Sequence, residues 1–469
     1  MAIALATTAA SCDTSKKEET KLIGKQTLKI ENGLMTPEIL WAFGRIGSVE
    51  VSPDQSKIVY GVTYYSIEEN KSNSELFVMN TDGTEKRKIT HSTYRESNAR
   101  WTNDSRTIVF LCNESGSSQL WSIQADGSGL RQLTDYEGGI NDFSLSPDES
   151  KLLFVADVKY GERTLDKHPD LPKTSGIIVN DLMYKHWDEW VETIPHPFVA
   201  DFNSGNLTNI KDLLEGEPYE SPMKPFGGIE QLAWSPDGKI IAYTSRKKVG
   251  KEYAVSTNSD IYFYNVETGT AENKTEGMLG YDINPSFSPD GKWMAWESME
   301  REGNESDKSR LFIMNLQTGE KRDLSAGFDQ NSNELAWSAD SKSIYFVSVQ
   351  HAVTEIYRAD IEINSITKIT TGVHDYTKAI PLDDKLIAVK RSMSKPDEIY
   401  SVNIQTGADS ELSFENKEIL DQLTMGKVEE RWVTTTDNKQ MLVWVIFPPN
   451  FDPNKKYPTL LYCQGGPQS

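Results

Sequence analysis

Cysteine is scarce in this chain. Its three copies, Cys12, Cys112 and Cys463, stand in unrelated contexts with no metal-type spacing, so the sequence offers neither a disulfide framework nor a zinc site. Asp82-Gly83 and Asp126-Gly127 look like fragments of calcium loops, but no D-x-D-x-D-G run follows, and ordinary turns explain them. No metal and no cofactor is expected. Positive charge is also short: 49 Lys and Arg face 70 Asp and Glu, for a net charge of −21. Such a field repels phosphate backbones and sets nucleic acid aside as a partner. It suits cationic ligands, including the free amino end of a peptide, although the same charge serves solubility. Long apolar runs are missing, and no stretch approaches the roughly 18 residues of a membrane span. G-x-S-x-G occurs nowhere, so there is no nucleophile elbow. The six histidines, His91, His168, His186, His196, His351 and His374, lie away from any plausible nucleophile in sequence. The chain therefore shows no Ser-His-Asp set.

What the chain does have is aromatic residues and a repeat. Its 11 Trp and 19 Tyr are side chains that pack well on a pleated sheet. VSPDQSKIVY starts at Val51, WTNDSRTIVF at Trp101, LSPDESKLLF at Leu145 and WSPDGKIIAY at Trp234. FSPDGKWMAW starts at Phe287, WSADSKSIYF at Trp337, and a degenerate copy, IPLDDKLIAV, at Ile380. Each reads as strand, turn, strand: Pro presets φ, and Asp bonds the backbone that follows it. Alternating cassettes such as ELFVMNTDG, QLWSIQADG and RLFIMNLQTG follow, and then short pieces such as RKIT, RQLT, RDLS and TKIT. Four short strands every 43 to 53 residues predict a propeller blade. One step, Pro147 to Pro236, spans 89 residues but holds a single second cassette, PFVADFNSG. It reads as one blade with an insertion.

The expected fold is thus all-β: a seven-bladed β-propeller over 34–425, with an insertion at 157–225 that carries a helix near 180–192. Thr36-Pro37-Glu38 predicts a short helix leading into the first blade, with a capping Thr, an early Pro and an acid at the positive end. Residues 1–20 look like a signal and tether. MAIALATTAAS followed by Cys12 resembles a bacterial lipoprotein signal, although no Lys or Arg precedes the apolar run. That makes Cys12 a candidate lipidation site. It points to export to a bacterial cell envelope, with membrane contact only through the lipid.

Past residue 425 the pattern changes. KVEERWVTTTDNKQMLVWVIF reads as a long hairpin turning at Asp437-Asn438-Lys439, and YPTLLYC as a buried strand running into Gly-Gly-Pro. One strand pair cannot bury a core of its own. Ser-Pro-Asp blades, then R-W-x-x-x-x-D, then K-Y-P-(apolar)-x-G-G-P resemble the prolyl oligopeptidase family of serine peptidases. KHWDEW in the insertion is similar to a bacterial dipeptidyl-peptidase branch of it. The resemblance implies that 426–469 are the first strands of an incomplete α/β-hydrolase domain. The catalytic triad is then expected after Ser469, and this chain should be inactive alone. It also implies an oxyanion loop at Gln464, Gly465, Gly466 and Pro467, whose backbone can aim N–H groups at a developing negative charge. Many relatives carry His where this chain has Gln464.

The resemblance implies exopeptidase cleavage as the activity, releasing dipeptides from free peptide N-termini by Ser-His-Asp acyl transfer, with the propeller gating access. Read as a helix, the insertion sets Tyr184, Trp187 and Trp190 on one face, with Asp188, Glu189 and Glu192 around the other. Acids beside aromatic rings suit a substrate ammonium. Glu189 is the first candidate, then Asp188, with Trp187 lining a pocket and Glu192 nearby. An amphipathic helix packed on the propeller explains the same stripe, and a plain Lys185–Glu189 pair is a third option. Beyond peptide substrates, a second copy of the chain is a candidate partner. The competing functional reading is an envelope-anchored propeller that binds partners without catalysis.

Overall fold

The Ser-Pro-Asp turns share one set of hydrogen bonds in the computed structural model, which describes residues 22–203 and 205–463. In the first turn Ser52 Oγ donates to Asp54 Oδ1 at 2.6 Å, and Ser56 N donates to the same oxygen at 3.0 Å. Lys57 N donates to Ser52 Oγ at 2.9 Å. Gln55 between them takes φ 59°, a left-handed position where glycine is cheapest; later copies place Gly238 and Gly291 there. The Ser hydroxyl two residues earlier is the first cause holding Asp54, Asp148, Asp237 and Asp340 below the usual carboxylate range. The tryptophans ahead of the turns tie one unit to the last. Trp101 Nε1 donates to Glu50 O, Trp234 Nε1 to Ser144 O and Trp337 Nε1 to Ser286 O, at 3.4, 3.4 and 3.1 Å.

The short pieces RKIT, RQLT, RDLS and TKIT also have a mechanical role. Thr90 Oγ1 accepts from Leu76 N at 2.8 Å, Thr134 from Leu120 at 2.9 Å, Ser325 from Leu311 at 2.9 Å and Thr370 from Ile356 at 2.9 Å. A hydroxyl here replaces a ladder partner and fastens the outer strand.

These repeats build five four-stranded antiparallel sheets and one eight-stranded sheet, among the described residues. In the larger sheet, two four-stranded meanders meet through a single parallel pair, Thr354 with Asp375. The core lies between sheets, as the two apolar faces of each require. Val59 and Ile108 belong to one buried cluster, Phe143 and Leu120 to the next, and Tyr243 and Leu153 to a third. The last meander packs back on the first sheet, where Ile387, Val389 and Ile399 meet Ile58, Tyr60 and Met79. The structure is a closed ring in which the strands of each sheet follow one another along the chain, save in the one sheet whose second and third strands are separated by a small hairpin.

A clasp covers the closure. The helix Pro37–Ala42 is capped as expected, Ile39 N donating to Thr36 Oγ1 at 3.4 Å. With Leu28 and Ile30 it packs on Ile419 and Leu420. Gly44 N donates to Asn416 Oδ1 and Asn416 Nδ2 donates back to Gly44 O, both at 2.9 Å.

Three expectations change. The expected insertion at 157–225 is two separate segments, because Thr193–Asn203 and Asn206–Asp212 are the third and fourth strands of their sheet. One segment, 160–192, leaves between the second and third strands; the other, 213–228, leads to the next sheet. The expected helix near 180–192 is instead a hairpin, described below. Tyr457–Cys463 forms no strand: no described strand lies beside it to pair with its backbone, Leu460 is 97% exposed, and Cys463 is exposed and not buried. Cys112 is buried, and burial pushes its thiol up to about 11. The hairpin of strands Val428–Thr434 and Gln440–Ile446 forms as expected, with Asn438 at φ 62° in its turn. No helix among the described residues is long and apolar enough to cross a membrane. Cys12 and the loop Gln464, Gly465, Gly466 and Pro467 lie outside the described residues.

Candidate ligand-binding site

Lys185–His186 and Glu189–Trp190 are two short antiparallel strands. The pairs Lys185 with Trp190 and His186 with Glu189 leave Trp187 and Asp188 as a two-residue loop. Trp187 sits at φ 51°. The Tyr-Trp stripe that suggests a helix finds no core to bury into: Trp187 is 72% exposed. The aromatic residues bond across the hairpin. Lys185 Nζ lies 4.4 Å from the centre of the Trp190 ring, and no Lys185–Glu189 pair forms. Lys185 makes no ion pair within 4.0 Å among the described contacts, so the third option fails.

Two anchors hold the loop over the body of the ring. His186 Nε2 is 3.0 Å from Glu220 Oε2, and Trp187 meets Phe226 edge-on at 5.0 Å. Both partners come from the second segment, 213–228. Glu220 is 1% exposed and also accepts from Tyr253 OH at 3.0 Å. Burial first, and then the Glu220 charge, push the Tyr253 phenol well above its ordinary range, so it stays a donor. Both oxygens of this deeply buried side chain have hydrogen-bond partners, as burial of a polar group requires.

Below the loop lies a cavity of about 780 Å³, lined by Trp187, Asp188, Glu189 and Glu220 together with Asp157, Arg95 and Lys224. Three of the sequence candidates, Trp187, Asp188 and Glu189, are thus brought together. Glu192 is not: it lines a separate hollow of about 90 Å³ behind the hairpin with Tyr160 and Arg163. Glu192 lies at the bend between the hairpin and the strand Thr193–Asn203, where the chain turns away, so a helical reading misplaced it. Glu220 was missed. Its partners lie 34 residues before and 33 after it, so no local pattern marks it. A second cavity, of about 410 Å³, shares His186, Trp187, Lys224 and Pro225 with the first. It reaches Arg246, Tyr253 and Tyr281. Arg95 and Arg246 line these cavities, whereas Arg45 stacks on Trp41 and Tyr65, and Arg391 pairs with Asp397 at 3.6 Å. The described histidines that meet carboxylates, His186, His196 and His374, do so with Glu220, Asp212 and Glu355, and no serine hydroxyl is among their described partners.

Four-stranded antiparallel sheets packed face to face, with the last against the first, define a β-propeller. The chain belongs to the TolB β-propeller family, whose domain model matches residues 40–171 and 230–425. The loop and Glu220 fall in the gap between those matches. Among curated proteins, the chain is 49% identical over 435 residues to a dipeptidyl-peptidase 5 of Porphyromonas gingivalis, covering 93% of this chain and 64% of that protein. It is 46% identical over 439 residues to the dipeptidyl-peptidase 5 of Porphyromonas endodontalis, covering 94% and 64%. The chain therefore spans less than two thirds of the length of these relatives. Among solved structures, it resembles an acylaminoacyl peptidase of Pyrococcus horikoshii with a TM-score of 0.68 at 16% identity, covering 89% of this chain and 60% of that one. It also resembles the β-propeller domain of the Trilobed protease from Pyrococcus furiosus, described as having an open velcro topology, with a TM-score of 0.53 at 14% identity, covering 80% and 99%. These structural likenesses concern the fold.

Proposed function

We propose that this chain is the substrate-selecting propeller of a serine exopeptidase that releases dipeptides from free peptide N-termini. The observation that carries the reading is the acid-lined cavity under the 185–190 hairpin, in a chain similar along nearly its whole length to two dipeptidyl-peptidases. Asp188, Glu189 and Glu220 receive the substrate's ammonium, and the Trp187 ring gives it a further attractive face. Fixing the amino end at a set distance from the scissile bond is what limits release to two residues. The two meanders of the eight-stranded sheet count as two blades, so the ring has seven and gates access to the site. Residues 426–469 start an α/β-hydrolase domain. The backbone of Gln464, Gly465, Gly466 and Pro467 serves its oxyanion hole, and the triad is not supplied by this chain. Export with lipidation at Cys12 places the enzyme in a bacterial envelope.

The test separates recognition from catalysis. Calorimetric titration of this chain with glycyl-phenylalaninamide and with its N-acetyl form should show the free amine binding at least about tenfold more tightly. Glu189→Gln and Glu220→Gln should each erase part of that preference. In the protein at the full length of its relatives, Glu189→Gln should raise KM for free-amine dipeptidyl substrates and leave kcat little changed. Equal affinity for the free and acetylated ligands refutes the ammonium site.

A further inference from the structure

The two cavities that share the Trp187–Pro225 wall carry opposite charge. The larger has four acids, Asp157, Asp188, Glu189 and Glu220, against Arg95 and Lys224. The smaller has Lys185, Lys224 and Arg246 against Glu305 alone. A surplus of cations is unexpected in a chain of net charge −21. Arg246 is the least satisfied of them. Tyr253 and Tyr281 stack on its guanidinium, at 4.7 and 5.7 Å from the ring centres. Its hydrogen bonds go to uncharged oxygens and are long: 3.4 Å to Tyr253 O and 3.5 Å to Tyr281 OH. Its Nε is buried without a partner, and no carboxylate lies within 4.0 Å of it among the described ion pairs. A guanidinium has five N–H donors in a planar fork that matches a carboxylate, and a desolvated donor left unmade is costly. Glu305 is exposed and is bonded by Tyr281 OH at 3.4 Å, so its charge is screened by solvent. Met223, Phe226, Ile283 and Met299 give the wall an apolar stretch, beside the polar His186 and Gln231.

We propose that this smaller cavity is a carboxylate subsite, in which Arg246 grips a carboxylate carried on an apolar or aromatic body. Its natural ligand is the C-terminal end of a short peptide, and an apolar free acid has the same chemistry. The inference deepens the peptide-binding reading above but rests on a different cavity. The two subsites together would favour short zwitterionic peptides over long chains or amides.

The experiment uses this chain and probes that engage one subsite each. N-acetylphenylalanine has no ammonium, and N-acetylphenylalaninamide has neither charge. The acid should bind at least about tenfold more tightly than the amide, the difference expected of one charge-assisted contact. Arg246→Gln should abolish the difference, with its melting temperature measured to show that the ring is intact. Acid and amide binding alike to the unaltered chain overturns the proposal without recourse to any variant, as does a preference that survives Arg246→Gln in a folded protein. 3-Phenylpropionate separates the two sources. If it binds more weakly than the acetylated amino acid, the subsite reads a peptide end; if equally, it takes any apolar acid, and in both cases the carboxylate chemistry stands. Glycyl-phenylalaninamide binding alone, with N-acetylphenylalanine silent, removes this subsite and leaves the ammonium site standing. The converse result leaves this subsite and removes the other.

Discussion

Single buried carboxyls carry much of the tension in this ring. Asp282 is fully buried and accepts from Trp296 Nε1 at 2.7 Å. Burial dominates its environment and raises its carboxyl to about 7. Below the ordinary aspartate range it is protonated in both folded and unfolded chains and has no net effect on pH dependence. As pH rises toward 7, the unfolded chain releases its proton first, and stability falls. Asp282→Asn keeps an acceptor for Trp296 and never ionises. It should therefore raise stability at pH 8 by on the order of 2 kcal/mol and change it little at pH 4. Denaturant titrations at the two pH values check this, and a loss at pH 8 would show that the charge is used. Gln55 and Trp187 illustrate another residue-scale point: both hold left-handed backbone without being glycine, one for a turn and the other to present its ring.

At the scale of elements, the ring closes without exchanging a strand between its first and last sheets. Its seam therefore depends on side-chain packing and on the clasp of the helix Pro37–Ala42 against Ile419 and Leu420. Asn416 is the pin. It is 1% exposed and exchanges two hydrogen bonds with the backbone of Gly44. Asn416→Ala strands a buried N–H and a buried carbonyl, which costs about 2–4 kcal/mol. The midpoint of urea unfolding should fall with little change in slope. A change in slope would mean instead that the seam opens on its own before the rest. The site hairpin is the opposite case, an element with almost no buried side chains, held at His186 and Trp187.

For the whole molecule, three buried carboxyls and one partly buried one act in the same direction. Glu96, Asp282 and Glu297 are raised to about 7 and Asp142 to about 6, in every case by burial first. The stability they contribute is complete below about pH 4 and is lost as pH rises through about 6 to 7. The turn aspartates act oppositely, losing stability as pH falls below their unfolded range, but they are solvent-exposed and contribute little. The net charge of −21 adds self-repulsion as the acids ionise. The melting temperature should therefore be higher at pH 5 than at pH 8. Calorimetry across that range decides, and a steady rise toward pH 8 would contradict the assignment of these groups.

Much of the ring was legible because it is written in local chemistry. Ser-Pro-Asp turns, alternating strands and the closing Thr or Ser each depend on residues within about 15 positions, and each recurs often enough to set the period. The helix Pro37–Ala42 was legible for the same reason, its cap lying within one turn. Only the tertiary structure decided the site. Lys185 to Trp190 has the spacing of an amphipathic helix, yet its side chains have no core to face, so backbone pairing won. Glu220, His186 and Tyr253 meet across more than 30 residues in each direction, and Arg246 becomes an unsatisfied cation only because of what the fold places, and fails to place, around it. Sequence fixes contacts that are close along the chain; a binding cavity is made of those that are not.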